Sequence, residues 1–183
     1  MIDIVTFPRS GHHWLMKMCG AKFGLPKGWH CDTHTHKPDE RTLVRKTHDF
    51  ELDFVPKGAF IIQTRRDIVA SIQSWFDLFI KQGYGPDTKD CWAEFAARRI
   101  FFAVAWHKKW VDRYPNNVIY YETLREQPER FVDLLGTELK KQGVACKDNE
   151  LPKNEHRIRR TSEYRYASDA KILEHSYRIL RGN

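Results

Sequence analysis

The four cysteines of this 183-residue chain, Cys19, Cys31, Cys91 and Cys146, include no CxxC pair. Neither a zinc ribbon nor a disulfide framework is therefore indicated, and reduced thiols are expected. The chain has no apolar run of about 18 residues, which argues against a membrane-spanning helix. Its first residues, MIDIVTF, place no basic stretch ahead of a long apolar one. They do not read as a signal peptide, and a cytoplasmic location is expected. No Ser/Gly-rich or Pro-rich linker divides the sequence, so one domain over 1–183 is expected. Acidic residues are in deficit, leaving a formal net charge of +7. That balance favours an acidic partner such as a nucleotide, a sulfated or phosphorylated sugar, or nucleic acid.

What is present reads as strands alternating with helices. IDIVTF is a continuous apolar run suited to a strand buried on both faces. His13 to Phe23 carries apolar residues at helical spacing and ends at Gly24 and Pro26. Residues 25–41 read as a loop, followed by strands in TLVRKTH and GAFIIQTR. Asp67 suits the N-cap of a helix over DIVASIQSWFDLFI. A long helix from about Asp90 to Tyr114 aligns Trp92, Phe95, Ala96, Phe102, Ala103, Trp106 and Trp110 on one stripe, which fits a core face. NNVIYYETL reads as a fourth strand, PERFVDLLGTELKKQG as a helix, and SDAKILEHSYRIL as a final helix. This order predicts an α/β fold, a central parallel sheet flanked by helices in three α/β/α layers. Ligands of such sheets bind at the carboxyl ends of the strands, where TFPRSGHH, RKTH and QTRRD all fall.

Each of these segments carries chemistry of its own. In TFPRSGHHWL, Gly11 lets the backbone approach an anion, while Ser10, His12 and His13 supply donors and Arg9 can fork onto phosphate or sulfate oxygens. A helix starting at Ser10 or Gly11 adds the positive end of its dipole. In RKTH, Lys46 and His48 are two apart on an extended segment and project to the same side. A histidine titrating near neutrality can take the proton of an attacking hydroxyl or amine, and a neighbouring ammonium can stabilise charge on a transferring group. In QTRRDIVAS, Arg65 or Arg66 ends a strand and Ser71 lies on the first turns of the next helix, a setting for a second phosphate. Arg65 is preferred, with Arg66 close behind.

Together these segments resemble the sulfotransferases that use 3′-phosphoadenosine-5′-phosphosulfate (PAPS). TFPRSGHHWL is similar to the family's 5′-phosphosulfate loop, TYPKSGTTWL, with Arg9 in place of lysine and His12 and His13 in place of the paired threonines. RKTHDF resembles its catalytic Lys-x-His segment, QTRRDIVASIQSWF its 3′-phosphate segment with a shortened Arg-to-Ser spacing, and VIYYETL its later YYEDL strand. The resemblance covers about residues 2–136 and implies a P-loop NTPase-like sulfotransferase architecture. It also implies His48 as general base, with Lys46 and Arg9 stabilising the transferring group and leaving oxygen. The donor site it implies comprises Arg9, Ser10, Gly11, His12, His13, Trp14, Arg65, Ser71 and Tyr121, with Trp14 and Tyr121 at the adenine. PAPS would be the co-substrate, with no metal required.

The family's C-terminal RKGxxG segment is missing, and Arg157, Arg159 or Arg160 of HRIRRTSEYRY are candidates to replace it. The HCDTHTH run at 30–36 matches no established metal spacing; a place beside the acceptor pocket suits it better. The expected acceptor is a small molecule or glycan bearing a hydroxyl or amine, without nucleic acid or membrane as partner, and a chain this short allows a homodimer that completes the pocket. Two rival readings are a P-loop nucleotide kinase, although GxxxxGK[ST] is absent, and a non-catalytic nucleotide- or RNA-binding module.

Overall fold

The computed structural model describes residues 1–33, 37–152 and 166–182. Its centre is β1 (Ile2–Thr6), buried at every position. A strand this apolar needs cover on both faces, and it has parallel neighbours on both edges. β3 (Val44–Thr47) pairs with it from Ile2↔Val44 to Val5↔Thr47, and β4 (Phe60–Thr64) from Asp3↔Phe60 to Thr6↔Gln63. β2 (His30–Asp32) and β5 (Val118–Tyr120) close the edges, giving a five-stranded parallel sheet in the order β2-β3-β1-β4-β5. The expected α/β sheet flanked by helices is present.

Alternation along the strands divides the apolar residues between two cores. On one face Ile2, Ile4, Val44 and Ile61 pack with Leu15, Met18 and Phe23 of α1 (His12–Phe23) and with Phe131, Leu135 and Leu139 of α5 (Pro128–Lys141). On the other, Val5, Phe7 and Ile62 meet Ile72 and Phe76 of α2 (Ile68–Lys81), Trp92, Phe95 and Trp106 of α3 (Lys89–His107), and Leu173 of α6 (Ala167–Arg181). Burying each such side chain contributes about 1.5–3 kcal/mol. The ends of these helices are set by local chemistry: Asp67 accepts the Ala70 N–H at 3.0 Å, and Thr88 accepts that of Cys91 at 3.3 Å.

Three sequence expectations need correction. The stretch 25–41 is not all loop, because His30–Asp32 forms β2 against β3. The strand expected over NNVIYYETL stops at Tyr120, and Tyr121 instead begins the short helix α4 (Tyr121–Glu126). The long helix expected to Tyr114 is α-helical only to His107; Lys108–Asp112 widens into a π turn. Widened turns of this kind re-aim the side chains they carry, and here Lys109 and Trp110 both reach the loop after β3. Among the described residues, no helix is long and apolar enough to cross a membrane.

His107, at the end of α3, is buried against the sheet. Its Nδ1–H donates to the Ala103 carbonyl at 2.8 Å, so Nε2 accepts from the Thr64 hydroxyl at 3.0 Å. Burial pushes its pKa from 6.5 down to about 4. Between those values the unfolded chain binds the proton more readily than the native one. This contribution to stability is therefore complete above pH 6.5 and is lost as pH falls toward 4, by about 3 kcal/mol. In urea unfolding between pH 7 and 4, His107→Gln should flatten the decline seen for the wild type; an unchanged pH slope would contradict this account.

Candidate active site

The loop Phe7–Gly11 carries the chain from β1 into α1. Arg9 (φ 62°) and Gly11 (φ 87°) both adopt left-handed backbone. At Gly11 any side chain would be strained twice over, since an added Cβ would lie 2.5 Å from the Tyr121 ring. The loop is anchored to β4: the Phe7 N–H donates to the Gln63 carbonyl (2.8 Å), and Gln63 Nε2 donates to the Ser10 carbonyl (3.0 Å). Ser10 Oγ donates back to the Phe7 carbonyl at 2.6 Å, so this hydroxyl shapes the loop. α1 then begins after Gly11 with no side-chain cap, which leaves its first N–H groups and the positive end of its dipole for an anion.

Beside this helix end lies the Lys46/His48 pair. Lys46, 1% exposed, sits on β3 between β1 and β2. Its Nζ donates to Asp32 Oδ2 at 2.6 Å and lies 2.7 Å from His48 Nε2. An ammonium has no lone pair, so Nε2 is the acceptor. His48 Nδ1 must then carry the ring proton, which it donates to the Thr6 carbonyl at 2.8 Å. Burial pulls the Lys46 pKa below its usual value, and the Asp32 carboxylate opposes that pull. Asp32, which the sequence expectations do not include, is the carboxylate partner of Lys46. It faces Lys46 only because β2 pairs with β3 in the register Asp32↔Lys46.

The chain around His48 is held from below. Its carbonyl accepts from Trp106 Nε1 at 2.9 Å. Asp49 (φ 50°), fully buried, accepts from Trp110 Nε1 (2.8 Å), Lys109 Nζ (2.7 Å) and the Phe54 N–H (2.8 Å). Phe50, 39% exposed, lies 5.2 Å from the His48 ring and joins Trp75 and Phe102 in an aromatic cluster.

The segment QTRRDIVAS separates its two arginines. Arg65 is turned inward, its guanidinium 5.0 Å over the Tyr121 ring and its Nε 3.8 Å from Glu122. Arg66 is exposed and donates to Thr123 Oγ1 at 2.9 Å. Arg65 Nε and the buried Ser71 Oγ both lack a hydrogen-bond partner. Although Tyr121 is not on the strand, its ring touches the loop at Gly11, carries Arg65 on one face and meets Trp14 edge-on at 6.0 Å. It thus joins the Phe7–Gly11 loop to Arg65. Arg9 leans toward α2, its Nε donating to Ser74 Oγ at 3.2 Å. His13 is exposed, 4.1 Å from the His12 ring. Arg157, Arg159 and Arg160, like His34 and His36, lie outside the described residues.

His12, Asp32 and His48 also bring three metal-ligating atoms within 4.8 Å of one another. The cluster already contains a cation, however, since the Lys46 ammonium bonds both Asp32 and His48. A divalent ion would have to displace it.

No family model, curated protein or solved structure matches the chain. Its chemistry therefore has to be read from the arrangement itself.

Asp49 supports that arrangement through three accepted hydrogen bonds. Asp49→Ala would leave the Lys109 ammonium and the Trp110 N–H without their shared acceptor, and should lower stability by about 3 kcal/mol in urea unfolding. A loss below about 0.5 kcal/mol, the range of an ordinary surface substitution, would show that the anchor is dispensable.

Proposed function

We propose that this chain is a PAPS-dependent sulfotransferase of P-loop-like α/β/α architecture, acting on a hydroxyl or amine of a small molecule or glycan. The observation that carries the reading is the Lys46–His48 contact beside the uncapped start of α1. An anion held by that helix end would lie next to an ammonium and a correctly protonated imidazole. The inward Arg65 and the Ser71 hydroxyl, each with an unpartnered polar atom, are the groups proposed to take the second phosphate of a donor that carries both 5′ and 3′ phosphates. Trp14 and Tyr121 offer aromatic faces for its adenine.

In the reaction, the acceptor oxygen or nitrogen attacks sulfur in line and forms the new bond. The bond from sulfur to the bridging oxygen breaks, and its electron pair leaves on the 5′-phosphate of adenosine 3′,5′-bisphosphate. The acceptor's proton passes to His48 Nε2, while Nδ1–H remains on the Thr6 carbonyl. That lone pair is bonded to Lys46 in the ligand-free chain. The donor must therefore draw the ammonium away, and the bridging oxygen, where negative charge develops, is where it is useful. Arg9 adds positive charge from the α2 side.

Adenosine 3′,5′-bisphosphate should bind without magnesium, as measured by calorimetry. Arg65→Ala should weaken it about 10- to 100-fold, the range for a charge-assisted hydrogen bond, whereas Arg66→Ala should not. Binding of ATP–Mg in its place would favour a kinase, and binding of RNA alone a nucleic-acid module. His48→Ala should reduce sulfuryl transfer at least ~100-fold with nucleotide binding retained. Because Asp32 raises the Lys46 pKa, Asp32→Asn should move the alkaline limb of the pH–rate profile to lower pH. A limb that stays in place would remove Lys46 from the titrating role.

A further inference from the structure

His12, the first residue of α1, is 6% exposed, and neither of its ring nitrogens has a hydrogen-bond partner. A buried polar atom left unpaired is costly, and native proteins rarely keep one without a reason. Here both unpaired atoms are on one ring, and that ring faces the reaction centre. It meets His48 edge-on at 5.1 Å, in the same cluster as Asp32. Gly11, immediately before it, is fixed against Tyr121, so the ring is delivered by a constrained backbone.

The ring is neutral, because burial first and then the nearby Lys46 charge hold the His12 pKa down to about 2; it therefore offers one N–H and one lone pair. A metal ion on the lone pair would have to expel Lys46 from Asp32 and His48. A ligand oxygen accepting from the N–H requires no such displacement. The oxygens delivered to this spot by a donor whose 5′-phosphate rests on the start of α1 are those of the group being transferred.

We infer that His12 is a further catalytic residue: its ring N–H donates to a non-bridging oxygen of the sulfuryl group and holds that group in line between His48 and the leaving oxygen. The inference rests on the sulfotransferase reading. As the acceptor bonds to sulfur and the bridging bond breaks, negative charge is shared among the three sulfuryl oxygens. Lys46, already drawn to the bridging oxygen by the bound donor, stabilises the electron pair left there, the proton passes to His48, and His12 remains on the sulfuryl group throughout. His12 thus distinguishes the loaded donor from the spent bisphosphate, which Arg65 and the loop bind alike.

Calorimetry of PAPS and of adenosine 3′,5′-bisphosphate, without acceptor, tests this on the wild type, His12→Leu and His12→Asn. His12→Leu should lose about tenfold in affinity for PAPS with unchanged affinity for the bisphosphate, and His12→Asn, which keeps an N–H, should recover part of the loss. Equal weakening of both ligands, or of neither, would overturn the role. Wild-type protein that binds neither nucleotide would instead sink the sulfotransferase reading, and this role with it. A measurement that needs no variant to fold is nitrogen-15 NMR of histidine-labelled wild type. A new hydrogen-bonded ring N–H should appear with PAPS and be absent with the bisphosphate; no difference between the two would overturn the proposal.

Discussion

A lysine ammonium with 1% exposure cannot stand alone in the interior of a protein, and the arrangement around Lys46 follows from that constraint. Desolvating the charge costs several kcal/mol unless good acceptors replace water. Two do so, a carboxylate from β2 and an imidazole from the end of β3. Their requirements then fix much else. Asp32 must stand opposite Lys46, which sets the register of β2. His48 must present a lone pair at Nε2, so its proton must lie on Nδ1, and the Thr6 carbonyl at the end of β1 accepts it. One buried charge thereby couples three adjacent strands to the tautomer of a single histidine.

That coupling would be of little use on a mobile loop. The left-handed backbone at Asp49 is held by five bonds: three accepted by its carboxylate, one accepted by its carbonyl from the Leu52 N–H at 3.2 Å, and one from its own N–H to Thr47 Oγ1 at 3.0 Å. The π turn after α3 delivers two of the three donors to that carboxylate. On the other side, Gln63 and Tyr121 hold the Phe7–Gly11 loop by hydrogen bonding and close contact. Residues with little chemistry of their own thus determine where His48 and the start of α1 are held. With both backbones held in place, the Lys46 ammonium is the group that must move for His48 Nε2 to accept a proton.

How much of this could be read from the sequence depended on whether the information was local. The strand-loop-helix of IDIVTFPRSGHHWL was legible because an apolar run, a proline and a glycine adjoin one another. The Lys46/His48 pair was legible because residues two apart on a strand share a side. Asp32 was not, because a three-residue strand between turn-forming residues has no periodicity, and its partner is 14 residues away in sequence. Tyr121 was found for its type and misplaced in structure: VIYYETL has strand composition, yet the chain turns helical once β5 leaves the sheet edge. For His12, the residue type and its place at the strand-to-helix turn were legible. That both its nitrogens would be buried and unpartnered depends on packing against His48, which no local pattern records.

The central claim is that two anion positions, one at the start of α1 and one at Arg65 and Ser71, belong to a single nucleotide. A crystal structure with adenosine 3′,5′-bisphosphate tests it most directly. The account predicts the 5′-phosphate on the main chain of residues 11–14, the 3′-phosphate on Arg65 and Ser71, and the adenine against Trp14 or Tyr121. A nucleotide bound elsewhere, or one whose two phosphates do not span these positions, would contradict it.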